Sequence, residues 1–226
     1  MSNAGFRIYT KIDRPDPKLV EQFSGLPVAN IADNMNRLFC VDSSIRPMNK
    51  CALLGPAFTV KSRPGDNLMF HKALDMAQPG DVIVVDLRGE TVNSAVGEIM
   101  MRYAIKKGIA GFLIDGAVRD TGALADMEFS VFAKGITPMG PYKDGPGEIN
   151  VQVCCGGVCV NPGDIVVGDA DGVVVIPQAD AATILEKAKA TFAKEAGIFK
   201  AIEEGTWDRA WIDKTLQDKG CEIIDN

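Results

Sequence analysis

The chain contains a single histidine in 226 residues and no long apolar run. One imidazole cannot build a histidine-based metal site, and the sequence also lacks the three-ligand cluster of a catalytic zinc ion. No segment approaches the roughly 18 consecutive apolar residues of a membrane span, and the amino terminus has no basic region followed by an apolar one. We therefore expect a cytoplasmic protein without a membrane partner.

Positive charge is also in short supply. The 24 Lys and Arg residues are outnumbered by 30 Asp and Glu residues, which gives a net charge of -6. Because affinity for a phosphate backbone comes mostly from clustered cations, no nucleic-acid partner is expected. The sequence has neither a Walker loop nor a G-x-G-x-x-G motif after a strand, so nucleotide or S-adenosylmethionine binding has little support.

The six cysteines lack the paired C-x-x-C spacing of a zinc knuckle. Cys154, Cys155 and Cys159 flank Gly156 and Gly157 in a predicted hairpin. A cytosolic chain of this length does not need disulfides for stability. We therefore expect free thiols that are buried or half-buried in a strand pair.

Composition predicts one globular domain over residues 1–226. Hydrophobic residues make up 46% of the chain and charged residues 24%, as in ordinary globular proteins, and no low-complexity linker interrupts the sequence. We expect a cloning remnant at residues 1–4, an N-terminal helical layer over residues 5–50 and C-terminal helices over residues 180–226. In the helical layer, residues 16–26 and 27–35 are predicted helices, the second opened by its proline.

Three Pro-Gly-Asp turns divide the chain, at residues 64–66, 79–81 and 162–164. Proline fixes φ, glycine takes a positive φ, and aspartate is expected to hydrogen-bond the backbone that follows. An alternating strand over residues 57–62 precedes the first turn. The other two turns lead into β-branched runs, residues 82–86 and 165–169, which are typical of strands covered on both faces.

A strand, a helix and a strand succeed one another from residue 82 to residue 115. Five apolar residues share one face of the helix, which ends at Gly108: Val96, Ile99, Met100, Tyr103 and Ala104. The two strands should be parallel in a right-handed unit, so that residues 86–88 leave the first strand where residues 115–119 leave the second.

The second half of the sequence is richer in antiparallel β-structure. A hairpin is predicted around Gly156 and Gly157, followed by strands at residues 164–169 and 173–176 and by a long C-terminal helix. The predicted fold class is therefore α/β, a single β/β/α domain with mixed parallel and antiparallel sheets.

Arg119 and Asp120 follow the second strand of the parallel unit, and twenty residues separate Arg119 from Glu98. A surface ion pair would give the same pattern. A helix that starts near Gly97, however, would leave the amides of residues 98–100 free to bind a carboxylate or phosphate, and Arg119 could complete that site. The carboxylates of Glu98 and Asp120 then favour a divalent cation such as Mg2+.

Three further residues have two open interpretations each. His71 has helical apolar spacing and is a packing residue or a catalytic base, with packing preferred. Asn67 either caps the following helix or contacts a ligand. Lys143, in a glycine- and proline-rich loop, either reaches a ligand or faces solvent.

An acidic residue, twenty intervening positions and Arg-Asp form a pattern that resembles the RraA-like family. The resemblance covers residues 25–190 and includes four segments: RPGDNL at 63–68, QPGDVIVVD at 78–86, GEIM at 97–100 and DGAVRD at 115–120. The family includes 4-hydroxy-4-methyl-2-oxoglutarate and 4-carboxy-4-hydroxy-2-oxoadipate aldolases and regulators of ribonuclease E activity. Its members are often labelled demethylmenaquinone methyltransferase. This sequence has no nucleotide-type glycine motif that would support a methyltransferase function.

The resemblance implies a swivelling β/β/α domain, a homotrimer or dimer of trimers, and a site for a small 2-oxo acid with Mg2+, Mn2+ or another divalent cation. Substrate-binding residues would be Arg119, Gly97, Ile99, Met100 and, less directly, Asn67 and Lys143. The catalytic set would be Glu98, Arg119 and Asp120, with Asp120 binding the metal directly and Glu98 binding it through water. Glu98 stands where many members have aspartate, one methylene shorter.

The activity implied is a class II pyruvate aldolase that cleaves 4-hydroxy-4-methyl-2-oxoglutarate-type acids, with oxaloacetate decarboxylation as a side activity. The group that removes the C4 hydroxyl proton stays open, with a hydroxide near Glu98 as one candidate. The alternative is a non-catalytic regulator that binds a ribonuclease, because one fold can serve both functions.

Overall fold

The computed structural model describes residues 3–224. Met1 and Ser2 of the expected cloning remnant, and the last two residues of the C-terminal segment, lie outside this range. The strands are β1 (Phe6–Ile8), β2 (Arg46–Pro47), β3 (Leu53–Ser62), β4 (Val82–Val96), β5 (Gly111–Val118), β6 (Ser130–Ile136), β7 (Gly147–Ile149), β8 (Val153–Cys155), β9 (Val158–Val160), β10 (Ile165–Asp169) and β11 (Gly172–Ile176). The helices are α1 (Pro17–Glu21), α2 (Val28–Asp33), α3 (Leu68–Met76), α4 (Glu98–Lys107), α5 (Thr121–Ala125), α6 (Ala181–Glu203) and α7 (Ala210–Asp218).

The chain divides into two compact units, one ending at Ala188 and the other starting at Lys189. The first unit contains every strand named above, α1 to α5 and the first turns of α6. The second contains the rest of α6 and α7. Across residues 3–224, no helix has both the length and the apolar character needed to cross a membrane.

The main sheet is mixed, in the order β1-β7-β3-β4-β5-β6-β2. Its centre, β3-β4-β5-β6, is parallel, whereas β7 and β10 run antiparallel to β3, and β2 runs antiparallel to β6. The predicted parallel unit of β4, α4 and β5 is confirmed, as are the antiparallel pairs of the second half. The α/β fold class with mixed sheets is therefore confirmed.

The core explains why the central strands are so uniformly apolar. All eight residues of β5 are buried, because side chains on both faces pack under other elements. On one face, Phe112 lies between Phe70 and Phe129 in edge-to-face contacts, with ring centroids 5.0 and 4.8 Å apart.

The N-terminal layer is less helical than expected. It contains α1 and α2, but also the short strands β1 and β2. Helix α1 begins as predicted, with Asp16 accepting a hydrogen bond from the Lys18 amide and Pro17 in the first turn. It ends at Glu21 rather than residue 26, because turns that lead to the left-handed Gly25 follow it.

The three Pro-Gly-Asp turns are all present, and their glycines have φ of 77°, 88° and 91°. The expected direction of the aspartate hydrogen bonds holds only for Asp66, which accepts from the amide of Leu68. Asp81 and Asp164 instead accept from amides three residues earlier, at Gln78 and Asn161. In these two turns the buried carboxylate therefore bonds to the residue before the turn and not to the backbone that follows it.

The prediction that residues 86–88 leave the first strand is wrong. Strand β4 continues to Val96 with register shifts against β5, starting where Arg88 takes a left-handed backbone, φ 58°. It advances from Asp86 to Val96 while β5 advances only from Asp115 to Val118. This excursion returns β4 to β5 at Val96, and so brings the start of α4 beside the end of β5.

The predicted hairpin is β8 and β9, joined by Gly156 and Gly157, which both have positive φ. All six cysteines are free thiols. Cys155 is buried, and burial raises the pKa of its thiol well above the ordinary value. Cys154 and Cys159 are exposed, because side chains alternate between the two faces of the hairpin.

The aromatic contact at Phe112 gives a stability prediction. Truncation of this side chain in Phe112→Ala should lower the free energy of unfolding by about 3–5 kcal/mol, because it leaves a cavity between two rings. Urea denaturation measures the change. Phe199→Ala is the control, since Phe199 is exposed and should change stability by no more than about 0.5 kcal/mol. Equal effects would contradict the packing argument.

Candidate active site

The end of β5 is joined to the start of α4 by two hydrogen bonds. The Arg119 amide donates to the Val96 carbonyl at 3.0 Å, and the Glu98 amide donates to Asp120 Oδ2 at 2.9 Å. Asp120 adopts a left-handed backbone, φ 59° and ψ 36°, which aspartate tolerates better than most residues. This turn directs its carboxylate back to the helix start, as convergence of the two strand ends predicts.

Gly97 occupies the space between these groups. A Cβ at this position would lie 2.3 Å from Asp120 Oδ2 and 2.8 Å from Arg119 Nε, both far inside van der Waals contact. Its backbone is extended, φ −140° and ψ −172°, so any residue could adopt the conformation. Glycine is required here for room alone.

A pocket of about 130 Å³ opens beside this junction. Ten residues line it: Asn67, His71, Ala95, Val96, Gly97, Ile99, Met100, Arg119, Pro141 and Lys143. All six residues expected from the sequence to bind substrate are in this set. Glu98 and Asp120 are adjacent to it but do not form its wall.

The expectation of three open amides at the helix start is wrong for two of them. The Glu98 amide is taken by Asp120, and the Met100 amide donates to the Gly97 carbonyl at 3.1 Å in a tight first turn. The described residues provide no acceptor for the Ile99 amide. One helix amide, rather than three, is therefore open to a ligand next to Arg119.

The three charged residues predicted to be catalytic are near one another, and Arg119 and Asp120 form an exposed ion pair without a hydrogen bond. Arg119 Nε lies 3.6 Å from Asp120 Oδ2, beyond hydrogen-bond distance, and both side chains are about 40% exposed. Glu98 Oε1 instead accepts from Arg102 Nε at 2.7 Å. Arg119 thus keeps donors available to a ligand, whereas the Glu98 carboxylate is directed along α4.

Asn67 forms part of the opposite wall and is only 3% exposed. Its Nδ2 donates to the Ala95 carbonyl at 2.8 Å, while its Oδ1 has no hydrogen-bond partner among the described residues. Exchanging the two amide atoms would set Oδ1 against the Ala95 carbonyl, so the orientation is fixed by that bond. The helix-cap interpretation of Asn67 is wrong, since its side chain makes no capping bond.

Asp66 provides the cap instead, and it also fixes the loop that carries Lys143. Its Oδ1 accepts from the Leu68 amide at 2.9 Å. Its Oδ2 accepts from the amides of Asp144 at 2.6 Å and Gly145 at 2.9 Å. One buried carboxylate therefore connects the start of α3 to the residues after Lys143.

His71 also lies in the pocket wall, half-buried, one helical turn after Asn67. Burial lowers the pKa of its imidazole, nearby Lys143 lowers it further, and Asp75 acts in the opposite direction. The helical apolar spacing of this residue in the sequence favours a packing role. The four-residue spacing from Asn67 was the available signal, because it puts both side chains on one helix face.

A larger cleft adjoins this pocket. An apolar groove of about 480 Å³ shares His71, Ile99 and Met100 with the pocket and extends to Tyr103. Ile99 and Tyr103 are exposed there, so the predicted apolar face of α4 is only partly buried, and Met101 is buried in the core.

The fold and the pocket define an α/β protein with a recess lined by Arg119 and Lys143 where strand ends meet a helix start. A family model described as RraA-like, Aldolase/RraA, matches residues 28–175. The chain belongs to the RraA-like family.

Three relatives illustrate the range of this family. The chain is 40% identical to a Halalkalibacterium halodurans protein named "Putative 4-hydroxy-4-methyl-2-oxoglutarate aldolase", over 87% of this chain and 95% of that one. It resembles Streptomyces coelicolor RraAS2, described as an unusual member of the RNase ES inhibitor RraA family, with TM-score 0.74, 29% identity and coverage of 82% and 98%. It also resembles a Geobacillus kaustophilus structure titled as an S-adenosylmethionine: 2-dimethylmenaquinone methyltransferase, with TM-score 0.62, 33% identity and coverage of 66% and 94%.

The steric requirement for glycine at residue 97 can be tested directly. Gly97→Ala should displace Asp120 and weaken its bond to the Glu98 amide, with a cost of about 1–3 kcal/mol from overpacking. The NMR shift of the Glu98 amide and urea denaturation measure both effects. Gly122→Ala is the matched control, because its Cβ meets nothing within 4 Å in α5 and should stabilise the helix by about 0.5–1 kcal/mol. An unchanged Glu98 signal in Gly97→Ala would contradict the steric argument.

Proposed function

We propose that this chain is a divalent-metal-dependent class II aldolase. It would release pyruvate from 4-hydroxy-4-methyl-2-oxoglutarate-type acids and decarboxylate oxaloacetate as a side activity. The proposal includes Mg2+ or Mn2+ as cofactor and a homotrimer or dimer of trimers as the assembly.

The observation that carries the proposal is the complementarity of the two pocket walls to a hydroxy acid. One wall has a guanidinium, Arg119, beside the open Ile99 amide, and both are donors to a carboxylate or keto oxygen. Asn67, which also lines the pocket, has a buried acceptor, Oδ1, without a donor among the described residues. Because burying an unpaired carbonyl is costly, a ligand hydroxyl is the natural partner. A 4-hydroxy-2-oxo acid has acceptors at one end and such a donor further along.

The donor set next to the pocket fits a hard divalent cation. Asp120 Oδ1 has no partner among the described residues, and the side chain is accessible to solvent. Mg2+ usually takes only one or two protein carboxylates and keeps several waters. Asp120 as a direct ligand and Glu98 as a ligand through water would therefore be enough to bind it. The cation would supply a Lewis acid that polarises the 2-oxo group.

The chain's own residues would then perform binding and charge stabilisation. Arg119 would hold the substrate carboxylate and balance the negative charge that develops on the pyruvate enolate. The Ile99 amide would donate to the same end of the substrate. Asp120, held by the Glu98 amide, would keep its second oxygen directed away from the helix.

The family also includes regulators of ribonucleases, so a binding function is the alternative. A regulator would need a contact surface but no unpaired acceptor or cationic recess. The retained Gly97, Arg119 and Asp120 arrangement favours the catalytic proposal. Turnover decides between the two functions.

Removal of the guanidinium is the first test. Arg119→Ala should lower kcat/KM for pyruvate release by about 10²-fold or more, as loss of a transition-state donor typically does. Arg119→Lys should recover only part of the rate, because lysine keeps the charge but not the planar fork. Arg37→Ala is the control, since Arg37 makes only an exposed pair with Asp33. Near wild-type turnover in Arg119→Ala would remove this residue from the mechanism.

Metal dependence is tested separately, with binding as well as activity. EDTA should abolish pyruvate release, and Mg2+ or Mn2+ should restore it. Calorimetric titration with Mn2+ should show weaker binding to Asp120→Asn than to Glu98→Gln, because only Asp120 is proposed as a direct ligand. Full activity in EDTA, or equal Mn2+ affinities of both variants, would contradict the proposed metal roles.

A further inference from the structure

Cleavage of a 4-hydroxy-2-oxo acid requires a group that takes the C4 hydroxyl proton, and identifying that group rests on the proposed function. Most of the pocket wall can be eliminated. The guanidinium of Arg119 and the ammonium of Lys143 have donors but no acceptor. The amide oxygen of Asn67 accepts a hydrogen bond but does not retain a proton. The other lining side chains are apolar, apart from His71.

His71 is placed to meet the same substrate atom as Asn67. Its backbone amide donates to the Asn67 carbonyl at 3.0 Å in the first turn of α3, so the two side chains project from neighbouring positions of one face. Both line the same pocket as Arg119. No hydrogen bond from the described residues occupies the imidazole. A hydroxyl bound in this pocket would therefore meet an imidazole with an unused acceptor nitrogen.

We infer that His71 is the catalytic base of the cleavage step. Its neutral imidazole takes the C4 hydroxyl proton, and the C4–O bond becomes a carbonyl as the C3–C4 bond breaks. The electron pair of that bond passes to the pyruvate enolate beside Arg119. His71 then releases its proton to solvent, and C3 of the enolate takes one proton from solvent. Protons and electrons balance without an oxidant or reductant.

The surroundings of His71 keep it neutral. The charged or titratable groups around it are Lys72 and Asp75 on α3, Tyr103 and Lys107 on α4, Arg119 after β5, and Lys143 in the loop after β6. Asp75 is the one anion of this set, and its Oδ1 already accepts from the Tyr103 hydroxyl at 3.1 Å. The pKa of His71 is accordingly lowered by burial and by Lys143 more than Asp75 raises it. The protonated imidazole cannot act as a base. The cleavage rate should therefore reach its maximum by neutral pH and fall as the pH drops through this lowered pKa.

The test compares two reactions of one enzyme. His71→Gln and His71→Asn should lower pyruvate release from 4-hydroxy-4-methyl-2-oxoglutarate by about 10²-fold or more, a typical loss for general base catalysis. Both should retain oxaloacetate decarboxylation, measured as CO2 release, because that substrate has no C4 hydroxyl to deprotonate. Lys72→Gln, an exposed neighbour outside the pocket, should leave both rates unchanged.

Two further readouts do not depend on the second reaction. Because His71 is the only histidine, its imidazole gives one set of NMR signals, and their titration reports its pKa directly. That value should lie below 6.5 and should match the acidic limb of the wild-type aldolase profile, a limb that His71→Gln should lose. Thermal unfolding of both variants should match wild type, which excludes a folding defect.

The outcomes separate this inference from the proposed function. A wild-type protein that releases no pyruvate from any 4-hydroxy-2-oxo acid would refute the proposed function itself. An active wild type with equally active His71→Gln, or with an acidic limb that persists in that variant, would refute the role of His71 alone. Equal loss of cleavage and decarboxylation in a folded variant would also overturn it, since the residue would then act in binding or enolate formation.

Discussion

The site depends on the hydrogen bond from the Glu98 amide to the Asp120 carboxylate. This bond uses a helix-start donor that would otherwise be open, and it fixes the residue after Arg119 in a left-handed turn. It is possible only because Gly97 has no side chain and because β4 returns to pair with β5 at Val96. This one hydrogen bond thus requires Gly97, the excursion of β4 and the start of α4 together. The same arrangement leaves the guanidinium of Arg119 in the pocket lining.

The electrostatic arrangement follows from this contact. A chain with net charge -6 still presents two cations, Arg119 and Lys143, in the lining of one small recess, and among the nearby carboxylates only Asp120 pairs with Arg119. Glu98 pairs with Arg102, Asp66 holds backbone amides, and Asp75 accepts from Tyr103. Among the described residues, the lining of this recess therefore contains two cations and no carboxylate, in contrast to the acidic chain as a whole.

The sequence predicts the position of one wall of the pocket but not of the other, for a physical reason. The Gly97 and Arg119 wall follows from the geometry of one βαβ unit, in which a helix start and the next strand end must lie at the same sheet edge. The wall of Asn67 and His71 belongs to the preceding unit. Its orientation depends on Asp66 binding amides 78 and 79 residues away, which no local pattern encodes. The extension of β4 was missed likewise, because register shifts against β5 are set by pairing and not by periodicity.

The Asp66 carboxylate gives the two walls different freedom to move. The wall of Arg119 is continuous with the central strands, so it can open only at a cost close to that of unfolding the sheet. The first turn of α3 and the backbone at residues 144–145 are joined by the Asp66 carboxylate, and the Asn67 amide adds a backbone bond to the Tyr142 carbonyl at 3.0 Å. These segments should therefore open together as a smaller cooperative unit. Ligand entry would then leave the residues around Arg119 unchanged and displace only the residues around Asn67. Hydrogen exchange at the amides of Leu68, Asp144 and Gly145 would follow one shared opening equilibrium.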